Sequence, residues 1–101
     1  MGTERISRVT VRNPSERPQL VIFEPWADEY TLAPGAAFTF EASSPLEGWL
    51  TVEYQDHDVI VTAWDSCVGR VYGSDGRLFD SIDIRVPDFT TPRTNDPGAA
   101  V

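Results

Sequence analysis

Three short stretches of this 101-residue chain concentrate the residue types that chemistry needs. The densest is Asp56-His57-Asp58, where an imidazole flanked by carboxylates could bind a metal in a turn or do acid–base work. Those residues are equally what a hairpin turn contains, because aspartate favours turns and an exposed histidine needs no further cause. The turn is the expected role.

Asp65-Ser66-Cys67 holds the only cysteine. A nucleophilic thiolate needs a base or a helix N-terminus to lower its pKa, and acidic neighbours work against it. Residues 18–69 contain no basic residue, so only His57 or the following Arg70 could activate the sulfur. Cys67 is therefore expected to be a buried structural thiol. Neither a nucleophile-elbow motif nor a Gly-rich phosphate loop, zinc-ligand spacing or calcium loop occurs. No catalytic residue, metal or cofactor is expected, and an enzyme built on His57 ranks third among the functional readings.

The third stretch is Glu24-Pro25-Trp26-Ala27-Asp28-Glu29-Tyr30, two aromatics among three acids. Trp26 and Tyr30 could form a platform while Glu24, Asp28 and Glu29 engage arginine or lysine on a partner. The competing role for Trp26 is to fold back over the open end of the domain. Trp49 shares parity with Thr51 and Glu53, which places Trp49 and Glu53 on a wet face. Those seven residues (Glu24, Trp26, Asp28, Glu29, Tyr30, Trp49 and Glu53) are the candidate binding set. With Trp64 and Tyr54, the aromatics could alternatively line a sugar- or peptide-binding face.

Charge narrows the partner. Sixteen acids against eight bases give −8, and every base is arginine. Residues 18–69 carry nine of the acids, whereas Arg5, Arg8, Arg12 and Arg17 cluster near the start. Such a balance repels phosphate backbones and disfavours nucleic acid. No run approaches the ~18 apolar residues of a membrane-spanning helix, and the polar first 15 residues do not read as a secretory signal. A single cysteine cannot form an internal disulfide, which suits a reducing interior, so a cytoplasmic location is expected.

The elements that must position these residues read as short strands between turns. Gln19 to Glu24 is apolar on both faces, Leu20 and Ile22 on one and Val21 and Phe23 on the other, as an interior strand would be. Pro25 ends it, since proline has no amide hydrogen for the ladder. Pro34-Gly35 has the signature of a type II turn. Further strands are expected around Arg8–Arg12, Tyr30–Ala33, Phe38–Phe40, Trp49–Tyr54, Val59–Trp64, Cys67–Tyr72 and Leu78–Val86, with Ser43 to Gly48 as a loop. On Trp49–Tyr54 the residues Leu50, Val52 and Tyr54 share a face. The Gly73–Gly76 loop closes a last hairpin, and Leu78, Ile82, Ile84 and Val86 share a face of its second strand only if a bulge or bend exposes Asp80. The pattern predicts an all-β fold, a small antiparallel β-sandwich of seven or eight strands over residues 1–86, with a closed β-barrel as the alternative. Residues 87–101, containing Pro87, Pro92, Pro97 and Gly98, are expected to be a mobile tail.

The order of strand, Asn13-Pro14-Ser15, strand ending in Glu24-Pro25-Trp26, then Leu32-Ala33-Pro34-Gly35 before a further strand, resembles short bacterial cupredoxin-like β-sandwich proteins of uncharacterised function. The resemblance covers residues 8–42 and implies a fold, with no activity attached. The copper site of that family does not carry over, because its pattern needs two histidines with a cysteine, often with a methionine. Here there are His57, Cys67 and the initiating Met1.

The leading functional expectation is a non-catalytic module that binds a basic protein or peptide through an acidic, aromatic-bearing face, as an inhibitor, an immunity-like protein or an accessory protein would. The alternative is a small-ligand or carbohydrate-binding sandwich. Open sheet edges would also permit strand addition or a homodimer.

Overall fold

Alternation of buried and exposed side chains, rather than any helical period, organises the chain. A computed structural model describes residues 3–86, and the tail expected at 87–101 lies outside them. Eight strands occur among the described residues: β1 (Arg5–Arg12), β2 (Gln19–Glu24), β3 (Asp28–Leu32), β4 (Ala37–Ser44), β5 (Thr51–Gln55), β6 (Asp58–Thr62), β7 (Val68–Tyr72) and β8 (Leu78–Ile82). They form two four-stranded sheets, β1-β4-β7-β8 and β3-β2-β6-β5, stacked as a sandwich and not joined into a barrel. Hydrophobic burial drives the stacking: Val21, Phe23, Leu32, Phe40, Val59, Val61 and Val71 are wholly inside. Phe23 and Phe40 meet edge-to-face across the core at 5.1 Å, an arrangement that adds to their area burial.

The turns follow local chemistry. Ala36 N–H donates to Ala33 O at 2.9 Å around Pro34-Gly35, with Gly35 at φ 78°. This turn carries the chain from one sheet to the other. Asp56-His57 closes the β5–β6 hairpin with Asp56 at φ 55°, a conformation that aspartate tolerates better than most residues. Asn13, fully buried, acts as a polar plug below the core. Its Nδ2 donates to Arg17 O (2.7 Å) and Leu32 O (3.0 Å), and its Oδ1 accepts from Ser15 N and Oγ.

Four details differ from the sequence reading. The β2–β6 pair is parallel, with Val21 beside Val59, so one sheet is mixed. β4 continues through Ser43 and Ser44, because pairing with Ile6 and Arg5 extends the ladder and Ser44 Oγ donates to Asp65 O at 2.7 Å. β8 stops at Ile82. A bulge falls where Val71 pairs with Asp80 and Tyr72 with Leu78, which leaves Phe79 as the extra residue and turns Asp80 inward. Of the shared face Leu50, Val52 and Tyr54, only Leu50 is buried.

Candidate functional site

Register places four carboxylates on one surface. On β2 the inward side chains are Val21 and Phe23, so Leu20, Ile22 and Glu24 point outward. Ile22 pairs with Glu29 on β3 and with Ile60 on β6, and Ile60 pairs with Glu53 on β5. One row across the whole sheet therefore reads Glu29, Ile22, Ile60, Glu53. Glu24 and Thr62 form a neighbouring row with Thr51, and Asp58 sits opposite Gln55 at the hairpin end. Half-buried Leu20, Ile22 and Ile60 make an apolar centre rimmed by Glu24, Glu29, Glu53 and Asp58. None of the four strands carries a basic residue.

The opposite sheet has the complementary character. Its outer face presents Arg8 and Arg12 from β1 and Arg70 from β7. Glu41, nearly buried, lies between Arg8 and Arg70 in the register, and Arg8 Nε donates to it at 2.6 Å. The sandwich is thus electrostatically two-sided, with an uncompensated acidic face on β3-β2-β6-β5.

The structure gathers Glu24, Glu29 and Glu53 of the sequence-derived set onto this face and sends the others elsewhere. Tyr30 is in the core, 6% exposed, because its parity matches Leu32. Its hydroxyl donates to Asp80 Oδ2 at 2.7 Å. Burial, then that hydrogen bond and the Asp80 and Asp28 carboxylates, hold its proton well above the usual tyrosine range. Asp28 starts β3 opposite Phe23, half-buried, at the sandwich end rather than on the acidic face. Trp26 folds back: its ring meets Phe23 edge-on at 4.8 Å, and Nε1 donates to Ile84 O at 2.7 Å. Gly69 makes the space, since a Cβ there would stand 3.1 Å from both Trp26 and Phe23 ring atoms. Trp26 and Tyr30 therefore do not form the exposed platform their composition suggests, because both rings have core to cover.

Trp49 is 71% exposed, just before β5, and lines an open cleft of about 470 Å³ with Glu4, Arg5, Ile6, Glu47 and Gly48. It stands apart from the row of Glu29, Ile22, Ile60 and Glu53. Two features of the face escaped sequence reading. Ile22 and Ile60 read as generic strand residues until their pairing is known, and Asp58 reads as a turn residue.

The single histidine and the single cysteine are both held by contacts within the fold. His57 Nε2 donates to Pro18 O at 3.1 Å, and Gln19 Nε2 donates to His57 O at 2.9 Å, so this residue ties the β5–β6 turn to the segment before β2. Cys67 is buried at the opposite end of β6, and burial pushes its thiol up to about 11 despite the opposing Trp64 backbone hydrogen bond and Arg85 charge. Among the described residues no three His, Cys, Asp or Glu side chains converge as a metal site would require.

The chain matches no family model, no curated protein and no solved structure. A face with four carboxylates and a central aliphatic strip can attract, orient and partly desolvate a cationic partner.

Proposed function

We propose that the protein is a non-catalytic binding module whose partner is a basic protein or peptide, docked on the outer face of β3-β2-β6-β5. The observation that carries the reading is the Glu29, Ile22, Ile60, Glu53 row on a sheet without a single base. Carboxylates at the rim accelerate encounter with a positive surface, and the half-buried isoleucines supply the part of the contact that excludes water. An inhibitor of a basic enzyme or an accessory protein that holds a basic segment would use this surface. No helix among the described residues is long and apolar enough to cross a membrane.

The test is capture from the native host at about 0.05 M and 0.5 M salt, with wild-type protein and with the double reversal Glu29→Arg, Glu53→Arg. Both positions are exposed, so the variant should stay folded. The reading expects a basic protein held at low salt, released at high salt and lost in the variant. Recovery indifferent to the reversal, or no recovery at all, overturns it. Trp49 favours one second reading, a small-ligand module, because a large aromatic surface stands free beside the open cleft. That reading expects salt-independent binding abolished by Trp49→Ala.

A further inference from the structure

The acidic face ends at a sheet edge unlike the other three. A strand edge presents unpaired amides and carbonyls, and proteins ordinarily blunt it with charge, proline, a bulge or brevity. β1 carries Arg5, Arg8 and Arg12, β3 carries Asp28 and Glu29, and β8 carries the bulge at Phe79. β5 reads Thr-Val-Glu-Tyr-Gln, with one charge, no proline and an unbroken register against β6. All five of its residues are exposed.

The pairing fixes which backbone groups are free. Gln55 and Asp58 flank the two-residue turn, so they form a hydrogen-bonded pair, as Glu53–Ile60 and Thr51–Thr62 then do by alternation. The amides and carbonyls of Val52 and Tyr54 consequently point away from β6, toward open space. Side chains alternate in the same way. Glu53 belongs to the acidic outer face, whereas Val52 and Tyr54 point to the inner side, where they are 36% and 72% exposed. β1 lies on that side and is tied to the chain before β5 through Leu50 N–H donating to Ser7 Oγ at 3.0 Å, yet it leaves Val52 and Tyr54 uncovered.

We propose that β5 is a strand-acceptor edge whose occupant is an extended segment alternating basic with apolar residues. Resting on the acidic-face reading above, this names the geometry of the contact and the sequence pattern recognised. The partner's backbone pairs with Val52 and Tyr54, its arginines or lysines lie on the outer face beside Glu53, and its apolar side chains cover Val52 and Tyr54. Charge complementarity selects this occupant over a second copy of the chain. Antiparallel β5–β5 pairing about Glu53 sets the two copies of that glutamate opposite each other, and any such pairing fuses two acidic faces into one sheet.

The experiment titrates the full isotope-labelled protein with an acetylated, amidated peptide Thr-Val-Arg-Val-Arg-Val-Thr and with two versions N-methylated on one or the other alternate set of residues. The proposal expects parent binding at low salt and slowed exchange of the Val52 and Tyr54 amides. One methylated peptide should be weakened about tenfold or more and the other less than about twofold, because only one set donates to β5. Val52→Pro removes an edge amide that β6 does not use, so it should lower affinity by a similar factor with the circular dichroism unchanged. Equal binding of both methylated peptides overturns strand addition and leaves the acidic-face reading standing. Failure of the parent to bind at low salt overturns strand addition, and charge reversal without effect in the capture experiment overturns the acidic face itself. A concentration-dependent dimer that protects the same amides without peptide gives the edge to a second copy and also overturns the proposal.

Discussion

Replacing Tyr30 by phenylalanine removes one oxygen from the seam between β3 and β8. The ring would still fill its place against Phe40 at 5.5 Å and Phe38 at 6.1 Å, so little packing changes. What disappears is the 2.7 Å hydrogen bond to Asp80. Bonds to a charged acceptor are worth about 1.5–3 kcal/mol when buried, and half-exposed Asp80 belongs at the low end, so the cost should be about 1.5 kcal/mol. In a domain of this size that corresponds to a fall in Tm of roughly 6–12 °C. Urea unfolding of wild type, Tyr30→Phe, Asp80→Ala and the double variant should give a coupling of about 1 kcal/mol or more. The pH dependence has a definite sign. The folded state holds the Tyr30 proton above the ordinary value of 10.0, so the unfolded state releases it first. The associated stability is complete below pH 10 and is lost progressively above it. Tyr30→Phe should flatten that alkaline loss. A variant as stable as wild type, with no coupling and an unchanged alkaline limb, would refute the reasoning.

Three further outcomes follow from the packing. Gly48→Ala should cost about 1–3 kcal/mol and shift tryptophan fluorescence, because a Cβ would overlap the Trp64 ring and strain the Nε1 bond to Leu46 O; an unaltered spectrum would contradict this. Asn13→Ala should cost about 3 kcal/mol by thermal unfolding, since it strands the Arg17 and Leu32 carbonyls below the core. Cys67, raised from 9.0 to about 11, should alkylate at pH 8 roughly 100-fold more slowly folded than in urea from thiolate depletion alone. The same shift means its contribution to stability falls as pH rises from 9 toward 11, and equal labelling rates in the two states would sink the assignment.

Local chemistry was legible in the sequence. Pro34-Gly35, the Asp56-His57 turn and the Gly73–Gly76 loop announce themselves because their backbone angles are set by the residues in them. The interior place of β2 was legible too, from apolar residues on both faces. The pairing partners were not: nothing in Val21 or Val59 states that they lie side by side, and the acidic row exists only once they do. Ser43 and Ser44 read as loop because serine favours turns, yet their partners on β1 and the Asp65 carbonyl hold them in a strand. Trp26 and Tyr30 show the limit most clearly. An aromatic residue among acids looks alike in sequence whether it faces solvent or core. For Tyr30 the parity shared with Leu32 held the answer, whereas for Trp26 it lay in the gap at distant Gly69.

The parallel β2–β6 pair also governs the order in which the molecule can assemble. β2–β3, β5–β6 and β7–β8 are hairpins and can each close within microseconds. Neither sheet is complete until β2 finds β6, β1 finds β4 and β4 finds β7, contacts between residues 25 to 39 positions apart. Such distant closures place folding in the millisecond-to-second range. As the chain leaves the ribosome, β2 and β3 emerge as a ribbon whose free β2 edge, ending at the Glu24 carbonyl that later accepts from Ala63 N–H, stays unpaired until β6 has been made. The interval before β6 arrives is when a nascent chain of this protein is most exposed to wrong pairing.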